Sequence, residues 1–512
     1  MIAAALAAHV PALQAGYVLD DDTLLVDNPY VRTASGLRVL LTSEFFLATA
    51  FPEHAAQYRP VSGALNWVSW QLLGRSSVSQ HALNVVMHAA VAVLLLTVLR
   101  LVGLRPGIAL GAAALFAVHP ATTLDVSYAE GRQDLLGWSL VLGATVASLR
   151  WRSLPALAAV SFAATLLATH CREVFVATFV GVALLALARG GAGVRACAIL
   201  AAGVAACVAT LALRRLVGVA AYDSPPWSAG AALEASVATG LRLARDVVAP
   251  TDLALLVTPA LPGPWAAVLV VGLTGAMLLA VDRWLASHAP ALRPVALAAW
   301  ALAASQAAVY AIVVLHLGPI SDRYAYGFVL AAALLGGVLA ESVPALGARG
   351  RRIVGLVAGG LVPAIVPMTW ARAVTFRSEA TLQAAMVRER PSDPETQIAE
   401  GLGRMHAGDL EGAQPYCAAY ARAHPRGDRA NLCLGVWRLV HGRPCEALPL
   451  LMPYALARPG APRAREAALA AALGCNDLGA AREMLDQWEP AFGGSEELKM
   501  AREQLEAREH GP

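Results

Sequence analysis

Three consecutive carboxylates, Asp20, Asp21 and Asp22, follow directly on the apolar stretch 2–15, where a first membrane helix would leave the bilayer. A carboxylate in Tyr17-Val-Leu-Asp-Asp-Asp22 can act as a general base, deprotonating an acceptor hydroxyl as it attacks a sugar's anomeric carbon. Partial burial under the following loop would lift its pKa toward working pH. The plainer alternative is a solvated helix end, since acidic runs are common at surfaces. A second candidate is Arg323, in Ser321-Asp-Arg-Tyr-Ala-Tyr326. Its guanidinium is permanently charged and bidentate, which suits a clamp on a lipid phosphate. Snorkelling among interfacial tyrosines is the competing reading.

His81, Asn84 and His88 fall at i, i+3 and i+7 and so share one helix face. Polar side chains inside a membrane helix are costly and turn toward a bundle interior or a site. Two histidines seven apart, without an adjacent carboxylate, make weak metal ligands, so a structural hydrogen-bonding face is the better reading and no metal site is expected. No phosphate loop, zinc motif or nucleophilic triad stands out. Counting helices puts Tyr58, Arg59, His119, Arg132, Asp134, Arg172, Glu173, Asp322 and Arg323 on the same side as the acidic run. Acids and bases gathered at helix ends on one face suit an enzyme working on a lipid-borne substrate. A transporter would place its ionisable groups near the midplane, in interrupted helices.

The elements that must position these residues are membrane helices. The 512 residues are 57% hydrophobic and only 15% charged, with a mean hydropathy of +0.56, too apolar for a soluble globular domain. The net charge of +3 is carried almost wholly by arginines, Lys499 being the only lysine. They form no basic stripe, so nucleic acid is not an expected partner. The Arg, Ala, Leu, Val and Gly bias fits a GC-rich bacterial genome and an inner-membrane protein. Apolar runs at 81–103, 107–119, 134–149, 154–170, 174–188, 196–213, 264–281, 294–316, 324–341 and 353–371, with the N-terminal stretch, predict an all-α bundle of about 11 spans. Residues 2–15 are short for a span and broken by Pro11; they lack a signal peptide's charged start and cleavage site, and read as the outer part of a first helix.

Every short loop on one side carries two or more arginines, at Arg100/Arg105, Arg150/Arg152, Arg189/Arg195, Arg283/Arg293 and Arg349/Arg351/Arg352. That side is the cytoplasm by the positive-inside rule. The N-terminus is then cytoplasmic and, with an odd span count, the C-terminus is outside. Residues 16–80 form a first external loop. Residues 233–248, with Arg242, Arg245 and Asp246 interrupting an apolar pattern, read as an interfacial amphipathic helix.

The membrane domain is expected over 1–372, a connecting helix over 373–390 and a repeat domain over 391–512. Gly408-Asp-Leu-Glu-Gly-Ala413, Gly442-Arg-Pro-Cys-Glu-Ala447 and Asn476-Asp-Leu-Gly-Ala-Ala481 are each 34 positions apart, and Pro391, Pro425 and Pro459 keep the same step. This is the spacing of tetratricopeptide repeats, and three are about the minimum for a stacked solenoid. Cys417 and Cys433 lie about equally far on either side of the turn after Pro425, and Cys445 and Cys475 do the same around Pro459. Each pair would lie level across antiparallel neighbouring helices, so the disulfides Cys417–Cys433 and Cys445–Cys475 are predicted for an oxidising compartment. Four free buried thiols are the alternative.

Several short motifs keep an order and spacing that belong together: Asp20-Asp21 with Asn28-Pro29, Tyr58-Arg59-Pro60, Asn84 with His88, Phe116-Ala-Val-His-Pro120, Gly131-Arg-Gln-Asp-Leu-Leu136, Arg172-Glu173 and Asp322-Arg323-Tyr324. On these the chain resembles the transmembrane and tetratricopeptide-repeat O-mannosyltransferases, within the polyprenol-dependent GT-C glycosyltransferases, and especially their bacterial relatives. It departs from them at Leu124, where they carry a Glu (Asp125 lies beside it), and at Thr122, where they carry a second His, which leaves substrate preference open. The resemblance implies transfer of a mannose-like hexose from a polyprenyl-phosphate carrier to a hydroxyl of a protein or glycan on the far side of the membrane, without a cofactor or metal. It implies Asp20 or Asp21 as the base and Arg323, with Arg132 or Arg172, on the phosphate. Tyr58, Arg59, Asn84, His88, His119, Asp134 and Glu173 would support them, and the repeats would recruit the acceptor. The rival reading is a non-catalytic scaffold that uses its repeats to assemble envelope proteins.

Overall fold

A computed structural model describes residues 1–45, 57–188, 193–219, 228–251, 253–255, 257, 259, 261–317, 320–342, 347–391, 393–423, 430–457, 461–492 and 496–509. The protein is all-α and polytopic. Among the described residues there is no strand, only one isolated bridge between Val257 and Ile320. Arg189, Pro425 and Pro459, and residues 46–56 of the first loop, lie outside the described residues.

Each of the eleven apolar stretches coincides with a helix. Six of the described helices are long and apolar enough to cross a membrane: Ser77–Leu101, Leu154–Cys171, Gly193–Val217, Pro264–His288, Pro290–Leu315 and Asp322–Ser342. A bent pair, Pro106–Ala117 with Pro120–Ser127, makes a seventh if counted as one span. The apolar runs outside this count differ in kind: Ile2–Gln14 and Glu173–Ala186 are shorter apolar helices, whereas Arg132–Arg150 and Ala348–Val374 are long, the first with Arg132, Asp134 and Arg150 at its ends. The stretch 2–15 divides into a helix Ile2–His9 and a 3-10 turn Val10–Gln14, with Pro11 at the join.

The chain separates into two compact units, one of Met1–Phe45 with Tyr58–Leu382, the other of Phe46–Gln57 with Gln383–Pro512. The core of the first is built from small and branched apolar side chains, among them Val91, Leu95, Val98, Leu99, Leu135, Leu302, Leu330 and Leu334, with Trp138 and Phe175 edge-on at 5.3 Å. Ala-rich faces let these helices approach closely.

The segment read as an interfacial amphipathic helix is the helix Ala229–Val248. Ala235, Val237, Ala238 and Leu243 are buried on it, as are Arg242 and Asp246, bridged at 3.0 Å one turn apart, while Leu241, Arg245 and Val248 are exposed.

In the second unit, the pairs Pro394–His406 with Leu410–Ala423, Asn431–Val440 with Pro444–Ala457, and Pro462–Gly474 with Leu478–Phe492 form three helical hairpins. The residue closing the first helix of each is left-handed: Gly408 at φ +85°, Gly442 at +71° and Asn476 at +61°. Gly and Asn are the residues that adopt this helix-ending conformation. Asp409 and Asp477 then cap the second helices, accepting from Gly412 N (2.9 Å) and Ala480 N (3.0 Å). Both expected disulfides, Cys417–Cys433 and Cys445–Cys475, are formed, with Cα separations of 6.3 and 4.9 Å. Each joins the second helix of one hairpin to the first helix of the next. Together they link all three.

Candidate active site

Five segments of the first unit converge. They are the N-terminal turn 17–22, Arg59 ahead of helix Pro60–Leu73, the turn Ala129–Gly131 with the start of helix Arg132–Arg150, Arg172, and the turn Asp322–Ala325.

The convergence is set up by a break in the chain at Val118–Pro120. Pro120 cannot continue the preceding helix, and the path turns by 56°. His119 caps the restart: its Nδ1 accepts from Ala121 N (3.2 Å) and its Nε2 donates to Val247 O (2.9 Å). Asn84, from the helix Ser77–Leu101, donates to Tyr128 O at 2.7 Å. Gly131 makes the turn possible, because a Cβ there would lie 2.2 Å from Asp125 O. His88 bonds Tyr326 Oη (2.8 Å) and Ala117 O (3.0 Å). His119, Asn84 and His88 therefore hold backbone and helices in place. Among the described residues no three His, Cys, Asp or Glu side chains gather as a metal site.

The acidic run separates into three environments. Asp22 is exposed, Asp20 is partly exposed and Asp21 is fully buried. Asp21 accepts backbone N–H bonds from Glu130 (3.0 Å), Ala129 (3.2 Å) and Val18 (3.3 Å). Burial and the neighbouring Glu130 charge push its carboxyl well above the usual carboxylate range, against those three bonds. Asp21 thus anchors the turn 129–131, which leaves Asp20 and Asp22 as the carboxylates open to solvent; the charge of Asp20 acts on Tyr128 and Glu130. Leu19, just before Asp20, is left-handed at φ +56°, with its N–H bonded to Glu379 Oε2 at 3.0 Å. A leucine in that conformation costs roughly 1–2 kcal/mol, so the surroundings impose Asp20's direction.

The basic residues also divide. Arg323 and Arg172 both bond Asp134 Oδ2, Arg323 at 3.2 Å. Arg323 lies over the Tyr128 ring at 5.2 Å, and its Nε is buried without a hydrogen-bond partner among the described residues. Arg172 lies 5.0 Å from the Tyr324 ring, which stacks on Tyr310 at 4.0 Å. The two guanidiniums face two buried carboxyls, Asp134 and Asp125, and Tyr128 feels both the Asp20 and the Arg323 charges. Arg132 stands apart. Its Nε donates to Ala129 O (2.7 Å) and its Nη1 to Ser69 Oγ (2.6 Å) and Gln80 Oε1 (2.7 Å), so most of its guanidinium holds the turn. Arg59 pairs with Glu173 at 2.7 Å and donates to Gln133 Oε1 at 3.2 Å, while Tyr58 Oη donates to Leu41 O at 2.9 Å. Asp322 accepts from Arg372 at 2.7 Å.

Two residues of this cluster escape the sequence reading. Tyr128 and Glu130 lie between the apolar runs 107–119 and 134–149, and both are buried. The available signal was a carboxylate next to a glycine and an arginine between two apolar helices.

The arrangement can hold an anion on Arg323 and Arg172 while a carboxylate nearby takes a proton. Over 134 residues, 26% of this chain, the sequence is 34% identical to protein O-mannosyl-transferase TMTC3 of Mus musculus. It is 34% identical over 134 residues to protein O-mannosyl-transferase TMTC1 of Homo sapiens, and 35% identical over 133 residues to protein O-mannosyl-transferase Tmtc1 of Drosophila melanogaster. A quarter of this chain is similar to O-mannosyl-transferases. The matched stretch spans 14–15% of the length of these relatives. No family model matches the chain, and no solved structure does.

Proposed function

We propose that this protein is a GT-C type glycosyltransferase that moves a mannose-like hexose from a polyprenyl-phosphate carrier to a protein hydroxyl on the extracytoplasmic face of a bacterial inner membrane. The observation that carries the reading is that the charges of Asp20, a partly exposed carboxylate, and of Arg323 both act on Tyr128 and Glu130, while Arg323 and Arg172 share Asp134. The similarity to O-mannosyl-transferases supports it.

In this scheme Arg323 and Arg172 hold the phosphodiester and stabilise the charge that grows on it as the glycosidic bond breaks. Asp20 takes the proton from the acceptor hydroxyl as its oxygen attacks the anomeric carbon. A single base and a single displacement invert the anomeric configuration. Asp21 and Arg132 hold the turn against which Asp20 is set. The three hairpins form a tetratricopeptide array that lies outside the membrane and recruits the acceptor. Purified protein incubated with radiolabelled polyprenyl-phosphate mannose and a Ser/Thr-rich peptide should give labelled peptide of inverted configuration. Label that stays on the lipid with every polyprenyl-phosphate hexose offered would refute the reading.

A further inference from the structure

The turn Ala129–Gly131 carries a carboxylate that the scheme above leaves without a task. Glu130 is fully buried. Its Oε1 accepts from Asn66 Nδ2, and its Oε2 has no hydrogen-bond partner among the described residues. Its own N–H is bonded to Asp21 Oδ1 at 3.0 Å, so the residue is fixed where it stands. The charged and titratable groups facing it come from every side: Asp20 and Asp21 from the N-terminal turn, Arg132 from the helix that follows, Arg323 from the turn Asp322–Ala325, and the neighbouring Tyr128. Arg132 Nη2 is likewise buried without a partner among the described residues.

A buried carboxylate oxygen that no donor reaches is costly when ionised and inexpensive when it carries a proton. Burial pushes Glu130 up to about 7; Arg132 and the Asn66 bond pull against this, and the Asp20 charge adds to it. The group therefore changes protonation state in the range where an envelope enzyme works, and it responds to the charge on Asp20.

We propose that Glu130 is the proton carrier behind Asp20, receiving on Oε2 the proton that Asp20 removes from the acceptor. The proposal rests on the glycosyl-transfer reading. The acceptor oxygen forms its bond to the anomeric carbon, and the carbon–oxygen bond to phosphate breaks with its electron pair leaving on the phosphate. The hydroxyl proton goes to Asp20 and then to Glu130, which restores the Asp20 carboxylate; after product leaves, the proton returns to water through the partly exposed Asp20. Glu130 touches neither donor nor acceptor and acts through Asp20.

Two measurements on the full-length protein in nanodiscs test this. Without substrate, infrared difference titration between pH 5 and 9 should show carboxyls that ionise near neutrality, Asp246 among them. One of these signals should be lost in Glu130→Gln and shifted to lower pH in Asp20→Asn, where a repelling charge is gone. With donor and acceptor, Glu130→Gln should lower kcat about 10²-fold and flatten its neutral-pH limb without raising KM, and Glu130→Asp should restore part of both. An unchanged set of titrating carboxyls in Glu130→Gln, or in Asp20→Asn, overturns the proposal, as does a Glu130→Gln enzyme with the wild-type pH profile. Wild-type protein that transfers no sugar from any donor overturns the glycosyl reading; the infrared titration then still decides whether Glu130 and Asp20 share a proton.

Discussion

Asp20 and Asp21 are adjacent and chemically identical, yet the fold gives them different surroundings. Asp21 has three backbone N–H donors and no exposure, so Asp21→Asn places an amide among donors and should cost about 1–3 kcal/mol of stability. A denaturant melt with an unchanged midpoint would contradict the anchoring role. Glu130 supplies a second test. Its carboxyl moves from a usual value of 4.5 to about 7 on folding, so the folded state binds the proton more tightly than the unfolded chain. The associated stability is fully present below about pH 4.5 and is lost as pH rises toward 7, of order 3 kcal/mol in all. Melting temperature should fall across that interval, and Glu130→Gln should flatten the fall. At this scale the sequence showed which residue types mattered better than which atom did what. Asp20, Asp134, Arg172 and Arg323 announced themselves as charges at helix ends. The division of labour between Asp20 and Asp21 depends on which carboxylate the turn 129–131 covers, a contact between residues 108 and 109 positions apart that no local pattern encodes.

Helix positions were legible because apolar runs and a 34-residue step are periodic signals. The step reappears in three dimensions as three left-handed turn residues, Gly408, Gly442 and Asn476. Hydropathy alone did not show that Glu173–Ala186 is a shorter apolar helix, nor that Arg242 and Asp246 pair in the interior. The cysteines were readable because the hairpin geometry dictates which positions lie level. The disulfides close loops with sequence separations of 16 and 30. Reducing them should remove about 3–4 kcal/mol each from the repeat unit by the chain-entropy account. Urea melts with and without reductant, alongside the Cys417→Ser/Cys433→Ser double variant, measure this directly. Equal midpoints in all samples would show that the bridges do not hold the hairpins together.

In the proposed function the site and the repeats both lie on the extracytoplasmic side, and Asp20 is the residue whose removal should stop transfer. The most direct measurement is single-turnover transfer from polyprenyl-phosphate mannose to peptide in sealed, oriented vesicles, comparing wild type with Asp20→Asn. We predict transfer only to peptide on the extracytoplasmic side, and a rate in Asp20→Asn lower by about 10²–10⁴-fold with the protein still folded. A folded Asp20→Asn protein that transfers at the wild-type rate would contradict the account.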